Sequence, residues 1–254
     1  FIMLLCPFKR TVVAVHDVIP HDGNKAMTLA NYVTCHLSNG VILRNYMYKN
    51  TLSQKYKIKS EKITCFELWR DYPEKVEPSY SNQFLYFGRI RKYKGFELFA
   101  KIIEKTPHIK YRIVGEADEE SKYLVDYVRN FENVSLVEYE VSDSQMIEEF
   151  KCADWVVLPY SNATQSGVIT DACRYARPVI SFNVGAIKEQ IEDGKTGFLI
   201  KAGDIDGFAN KVNEVNKFSR DKLREFSENA YSFGYKKYAA KFFADKFFAL
   251  MQRI

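Results

Sequence analysis

The sequence predicts an α/β fold: a doubly wound, Rossmann-like parallel sheet over residues 84–230, with a smaller, partial α/β domain before it. Three observations carry this. From Phe84 onward, six short apolar runs alternate with segments of helical periodicity. Residues 155–182 read strand, small-residue loop, helix, strand, which is the βαβ unit of an open parallel sheet. Residues 71–83 (DYPEKVEPSYSNQ) hold two prolines and few large apolar side chains, marking a boundary between domains.

Taken in order, TVVAVHDVIP (11–20) reads as a buried strand with His16 and Asp17 at its carboxyl end, where open sheets place ligand contacts. YVTCHL (32–37) and KITCFEL (62–68) read as two further strands. Between them Ser38 is a candidate cap for a helix whose apolar positions are Val41, Ile42, Tyr46 and Leu52. Three strands are about half of an ordinary doubly wound domain. Lys49, Lys55, Lys57, Lys59 and Lys62, with Tyr56 and Ile58 interleaved, form a basic run that is either a solvated loop or a contact for an anionic surface. The opening residues FIMLL, without an initiating Met, suggest a fragment entering in mid-domain. The expected boundaries are 1–75 for the first domain, 76–83 for the linker, 84–230 for the second domain and 231–254 for a last helix able to clasp the first.

In the second domain FLYFGRI, YRIVG, VSLVEY, WVVLPY, PVISF and TGFLI are the strands. The helix at 94–105 puts Phe96, Phe99, Ile102 and Ile103 on one face, and Ser142 or Asp143 caps the helix that ends near Ala153. The tail from 204 is helical, with a break expected near Ser232-Phe233-Gly234. Its last helix is expected to carry Tyr235, Tyr238, Phe242, Phe247 and Met251 on one stripe, read as core packing, an interdomain clasp or a membrane-facing surface.

Two loops of this domain carry chemistry. After WVVLPY, residues Asn162 to Gly167 are small and polar, and Val168, Ile169, Ala172 and Tyr175-Ala176 then recur at helical spacing until Pro178 ends the helix. This loop is expected to place the backbone N–H groups of Ser166, Gly167 and Val168 at a helix N-terminus, an anion site, with Gly167 leaving room for a phosphate. The second loop is Gly88-Arg89-Ile90-Arg91-Lys92-Tyr93-Lys94-Gly95. Arg89 lies at a strand's carboxyl end and Lys94 at the start of the next helix, so both cations can reach the point at which the other helix aims its N-terminus. Two cations and a helix N-terminus converging suggest a diphosphate site.

Composition narrows the rest. A net charge of +5 on 254 residues suits a weakly basic face towards phosphates or an anionic membrane, and it is not that of a nucleic-acid binder. Cys6, Cys35, Cys65, Cys152 and Cys173 are odd in number, widely spaced and set in apolar segments, which predicts reduced, buried thiols of a cytoplasmic protein. No C-x-x-C or H-E-x-x-H occurs, and no apolar stretch is long enough to span a bilayer.

These residues resemble a family. Residues 84 to about 215 are similar to the nucleotide-sugar-binding domain of GT-B fold glycosyltransferases, specifically the large family-4 retaining group. Its G-R-x4-K-G segment is matched by Gly88, Arg89, Lys94 and Gly95, and its strand ending in glycine by YRIVG. Leu158-Pro159-Tyr160, ARPVI (176–180), the turn Gly185 to Glu189 and DGKTGFLI (193–200) follow in the family's order. VHDVIP resembles the strand end whose histidine faces the donor sugar, which carries His16 over. Two departures stand out. The family's paired carboxylates, E-x7-E, read Ala163 and Asp171 here, with Thr164-Gln165-Ser166-Gly167 resembling a T-Q-S-G subset. A family N-terminal domain normally has a full doubly wound sheet, and by that comparison the first half, which usually holds a Gly-rich loop, is expected to be missing here.

The resemblance implies a glycosyltransferase using a nucleoside-diphosphate sugar with retention, in surface polysaccharide or lipopolysaccharide assembly of the bacterial type. His16, Arg89 and Lys94 are the catalytic candidates. Gly88, Thr164, Gln165, Ser166, Gly167, Val168, Asp171 and Glu189 are the donor-binding ones, Asp171 through the ribose hydroxyls. No metal and no cofactor is expected, the donor being a UDP- or GDP-sugar. The expected partners are a glycan or lipid-linked acceptor and a peripheral contact at the inner face of the membrane, not nucleic acid. A non-catalytic sugar-nucleotide-binding protein and a sugar-nucleotide epimerase on the same fold remain the alternatives.

Overall fold

Short runs of β-branched and aromatic residues without polar alternation suit strands buried on both faces, and such strands pair in parallel. A computed structural model describes residues 11–15, 18 and 25–253 of the chain; His16 and Cys6 lie outside the described residues. By packing, the chain divides into two units, Phe1–Trp69 with Lys237–Ile254, and Arg70–Lys236.

The first unit holds a parallel sheet of order β1-β2-β3, with β1 at Val12–Val15, β2 at Gly40–Leu43 and β3 at Ile63–Cys65. Helix α1, Lys25–Leu37, lies between β1 and β2 in the chain, and α2, Lys49–Gln54, follows β2. Two sequence expectations are corrected here. YVTCHL is the second half of α1 rather than a strand, and the segment after Ser38 is β2 rather than a helix. Two parallel strands need a crossover between them, and α1 supplies it. Ser38 ends a helix instead of starting one: its N–H donates to the Thr34 carbonyl at 3.0 Å and its hydroxyl to that of Cys35 at 3.1 Å. Along β2 the side chains alternate between faces. Val41 and Leu43 join a core with Val15, Cys35, Leu52, Tyr56 and Ile63, while Ile42 packs with Phe66, Phe243, Phe247 and Leu250.

The last three of those come from α9, Ala240–Arg253, which follows α8, Arg220–Tyr238. The helix break therefore falls at Ala239, not at Ser232-Phe233-Gly234. Gly234 serves packing: a Cβ there would meet the Tyr72 hydroxyl at 2.3 Å and the Cys173 Cβ at 2.5 Å. Restarting the helix at Ala240 also changes its phase. The inward stripe of α9 is Phe243, Phe247 and Leu250, and Met251 is exposed. Cys35, Cys65 and Cys173 are buried free thiols as expected, but Cys152, at the end of an amphipathic helix, is exposed.

The second unit is a six-stranded parallel sheet of order β6-β5-β4-β7-β8-β9. Its strands are β4 (Gln83–Phe87), β5 (Lys110–Val114), β6 (Val134–Val137), β7 (Trp155–Leu158), β8 (Val179–Phe182) and β9 (Gly197–Ile200). All six runs read from the sequence are strands. Helices α3 (Phe96–Lys105), α4 (Lys122–Val128), α5 (Asp143–Cys152), α6 (Gly167–Arg174) and α7 (Ile205–Val215) alternate with them or follow them. Ser142 caps α5 in a complete capping box with Gln145. Strand order reverses between β4 and β7, and ligands of open α/β sheets bind beyond the strand ends at such a switch point. Within this unit the buried Asp154 carboxylate holds residues 79–82, accepting the Tyr80 N–H at 2.8 Å, the Asn82 N–H at 2.7 Å and the Ser79 hydroxyl at 2.9 Å.

Candidate active site at the strand switch point

Gly88 immediately follows β4, at φ +104°, and a Cβ there would lie 3.1 Å from Lys94 Nζ and 3.6 Å from Val168 Cγ2. One point beyond the sheet thus brings together the end of β4, Lys94 of the basic loop and the first turn of α6. The loop is held in place by its own turn. Residues Lys92–Lys94 form one turn of 3-10 helix, and Gly95 takes φ +68°, where a Cβ would fall 1.8 Å from the Pro159 carbonyl oxygen at the end of β7. The Tyr93 carbonyl accepts the Ser161 N–H at 3.1 Å, the Asn162 N–H at 3.3 Å and the Ser161 hydroxyl at 2.9 Å. The basic loop and the small-residue loop are therefore stitched to each other.

Lys94 is a cation under stress. Burial, with the charges of Arg91 and Arg89, pulls its pKa down to about 8 from the ordinary 10.5. Its ammonium lies 5.8 Å from the centre of the Tyr160 ring, which gives a cation some attraction but no neutralisation. The charge of an anion at this point would offset all three. Arg91, not singled out in the sequence, is the larger of the two charge effects on Lys94. Arg89 is exposed and lines a cavity of about 230 Å³ beyond the ends of β4, β5 and β6, together with Gly88, Glu116, Tyr139, Asp143 and Met146.

On the other side, α6 begins at Gly167 with Ser166 as its N-cap, and no side chain caps it. The first amides of a helix have no partner within it and carry the positive end of its dipole. Of the three amides expected to face an anion, that of Ser166 is taken: it donates to Gln190 Oε1 at 2.7 Å, and Gln190 Nε2 returns a bond to the Ser166 carbonyl at 3.0 Å. Gly167 and Val168 are left at the helix start. Thr164 and Ser166 are buried, whereas Gln165, Gly167 and Val168 are partly exposed. Glu189 ends the 3-10 turn Ile187–Glu189, next to Gln190.

Asp171 is buried on α6 and its carboxylate accepts Arg70 Nε at 2.6 Å and Nη2 at 3.1 Å, a pairing that raises the pKa of Arg70. Ala163, where the family resemblance calls for a carboxylate, is buried, and its carbonyl accepts the Ala186 N–H at 3.3 Å. Besides Arg91, sequence reasoning missed Gln190 and Arg70. They lie 24 and 101 positions from their partners, so no local spacing announces them. Among the described residues no group of three or more His, Cys, Asp or Glu side chains is placed to hold a metal ion, and no helix is long and apolar enough to cross a membrane.

A family model for glycosyl transferases group 1 matches residues 81–217, more than half of the chain and all of the loops just described. The chain belongs to this family. Among curated proteins it is 29% identical over 158 residues to an uncharacterized 41.2 kDa protein in the cps region of Klebsiella pneumoniae, covering 58% of this chain and 41% of that one. It is also 29% identical over 149 residues to the capsular polysaccharide biosynthesis glycosyltransferase CapM of Staphylococcus aureus, covering 55% and 37%. The chain thus spans about two fifths of the length of these relatives. Among solved structures, Anabaena Alr3699/HepE in complex with UDP superposes with a TM-score of 0.80 at 18% identity, over 97% of this chain and 73% of that one. That likeness shows the fold: the GT-B-like class read from the sequence is borne out.

Proposed function

We propose that this group 1 family member acts in transferring a sugar from a nucleoside-diphosphate sugar to a saccharide or lipid-linked glycan, with retention at the anomeric carbon. The convergence of Lys94 Nζ and the Val168 side chain of α6 on Gly88 is the observation that carries this reading. In such a transfer the bond from the anomeric carbon to the β-phosphate oxygen breaks and a bond to the acceptor oxygen forms, while the acceptor's proton passes to the leaving diphosphate. Negative charge grows on that diphosphate, and donors already in place stabilise it without reorganisation. Lys94, Arg89 and the first amides of α6 supply them, so the reading includes chemistry without a metal or cofactor. Asp171 keeps lone pairs beyond those used by Arg70 and can accept from ribose hydroxyls. Thr164, Gln165 and Glu189 lie in the segments that would flank the donor, and His16 is assigned to face the sugar.

The cps-region and capsular relatives support an acceptor from surface polysaccharide or lipopolysaccharide assembly, and with it a place in the cytoplasm at the inner face of the membrane. The UDP held by the HepE structure supports a nucleotide-sugar donor, a UDP- or GDP-sugar. Ala163, which has no carboxylate to offer the sugar, supports a second reading in which the protein binds sugar nucleotides without turnover. Calorimetric titration of this chain with UDP, GDP, ADP and their sugar conjugates tests the donor site. One nucleotide is expected to bind in the micromolar range, with Arg89→Ala weakening it about tenfold. Absence of binding by all of them overturns the reading, and product formation with a glycan acceptor separates the enzyme from the non-catalytic binder.

A further inference from the structure

We infer that Gln190 is the positioning residue that holds the N-terminus of α6 in place for the donor diphosphate; this rests on the donor-site reading above. Gln190 belongs to neither of the loops that carry the chemistry. It follows the 3-10 turn Ile187–Glu189, its side chain is buried, and its amide grips a single residue by both backbone groups: Oε1 accepts the Ser166 N–H at 2.7 Å and Nε2 donates to the Ser166 carbonyl at 3.0 Å. A primary amide presents an acceptor and a donor in one plane, so it pairs with a residue's N–H and C=O much as a neighbouring strand does.

The residue it grips decides where the helix points. Ser166 is the N-cap of α6, in an extended conformation at φ −133° and ψ 120°. The orientation of its carbonyl fixes the peptide plane that carries the Gly167 N–H, and Val168 follows. The Thr-Gln-Ser-Gly loop has small or flexible side chains and would otherwise lose considerable freedom on meeting a ligand. Other contacts reach the same loop, from Ala186 N–H to the Ala163 carbonyl at 3.3 Å and between the Tyr160 and Ser166 hydroxyls at 3.3 Å. The first holds the far end of the loop and the second holds a side chain; a third, from the Thr170 hydroxyl to the Ser166 carbonyl at 3.4 Å, comes from within α6 and so cannot aim the helix from outside it. Gln190 acts on the backbone at the helix start, so it supplies the pre-ordering that lets amides serve an anion without a further entropic cost.

The test replaces Gln190 by Met, which keeps length and volume but loses both bonds, and by Glu, which keeps an acceptor but turns the donor into a charge facing the Ser166 carbonyl. Affinities for UDP and for uridine (or for whichever diphosphate and nucleoside wild type prefers) are measured beside amide hydrogen exchange of residues 166–169. Gln190→Met is expected to weaken the diphosphate about tenfold, to leave nucleoside affinity within about twofold, and to speed exchange at Gly167 and Val168 but not in β7 or β8. Gln190→Glu is expected to weaken the diphosphate at least as much, and it carries the test should the Met variant not fold. Equal loss of diphosphate and nucleoside affinity, or no loss of either, overturns the inference. Should wild type bind no diphosphate, the donor-site reading fails on its own, and unchanged exchange at Gly167 and Val168 would then overturn the role of Gln190 as well.

Discussion

Lys94 should make diphosphate binding depend on pH in a window where few other groups titrate. Lys94 is half-buried with its ammonium beside Gly88, and burial together with Arg91 and Arg89 lowers its pKa to about 8. The negative charge of a bound diphosphate would outweigh these effects, restoring the lysine to its ordinary range or above it. Affinity then follows the protonated fraction of the free protein. With a pKa of about 8, roughly 90% of Lys94 is charged at pH 7 and roughly 10% at pH 9, so affinity should fall about ninefold between them. The ligand does not confound this, because the last phosphate ionisation lies near pH 6. Neither does Tyr160, whose hydroxyl burial pushes well above its usual range. The assay is calorimetric titration from pH 7 to 9.5 with the preferred diphosphate. Lys94→Arg should flatten the profile, since a guanidinium stays charged throughout. Lys94→Met should flatten it too and cost about tenfold or more at pH 7, the worth of one charged hydrogen bond. A wild-type profile flat between pH 7 and 9, or an unchanged slope in Lys94→Met, would refute the assignment.

The same shift acts on stability with the opposite sense. The folded pKa of Lys94, about 8, lies below the ordinary 10.5 of an unfolded chain. Between those values the unfolded state binds more protons, so unliganded protein should gain stability as pH rises, by up to ~1.4 kcal/mol per pH unit from this residue. Subtracting the Lys94→Met profile isolates the contribution. Saturating diphosphate should abolish it, because the bound lysine is no longer held below its ordinary range.

Other outcomes follow from the packing around the site. Gly95→Ala should destabilise the protein by about 3 kcal/mol or more in urea unfolding, because its Cβ would fall 1.8 Å from the Pro159 carbonyl at φ +68°. Gly194→Ala, at φ +74° with nothing within 4 Å, carries the backbone cost alone and should lose only about 1 kcal/mol; similar losses for the two would refute the steric argument. Asp154→Ala should cost about 3–5 kcal/mol, since it orphans the Tyr80 and Asn82 amides and removes the carboxylate whose charge supports the buried Arg177. A loss below about 1 kcal/mol in the same assay would show that residues 79–82 are held by something else.

What the sequence made legible is what is local. The six strands of the second unit could be read because each is a short apolar run closed off by turn residues, and Gly88, Lys94 and Gly95 because one turn holds all three. Helix α1 escaped for a physical reason: Cys35 is its one buried residue, while Leu29, Tyr32, Val33 and Leu37 are exposed apolar side chains. Its pattern therefore carries no helical stripe, and YVTCHL taken alone reads as a strand. Ser38 misled because a hydroxyl near a helix end can accept from a first-turn amide or donate to a last-turn carbonyl, and only the structure decides which.

The site itself divides along the same line. The charges that would meet a diphosphate lie in contiguous motifs, but the groups that aim and restrain them do not. Arg70 donates to both carboxylate oxygens of Asp171 from 101 positions away, and Gln190 grips Ser166 from 24 positions away. Neither changes the charge pattern that a motif describes. Both decide which lone pairs and amides remain for a ligand: Arg70 leaves Asp171 with a reduced set of acceptors, and Gln190 occupies the Ser166 amide ahead of those that follow. The motif alone would assign three amides and a free carboxylate to the donor. The structure leaves two amides at the helix start and a carboxylate already neutralised by a guanidinium, which would put more of a donor diphosphate's charge on Lys94 and Arg89.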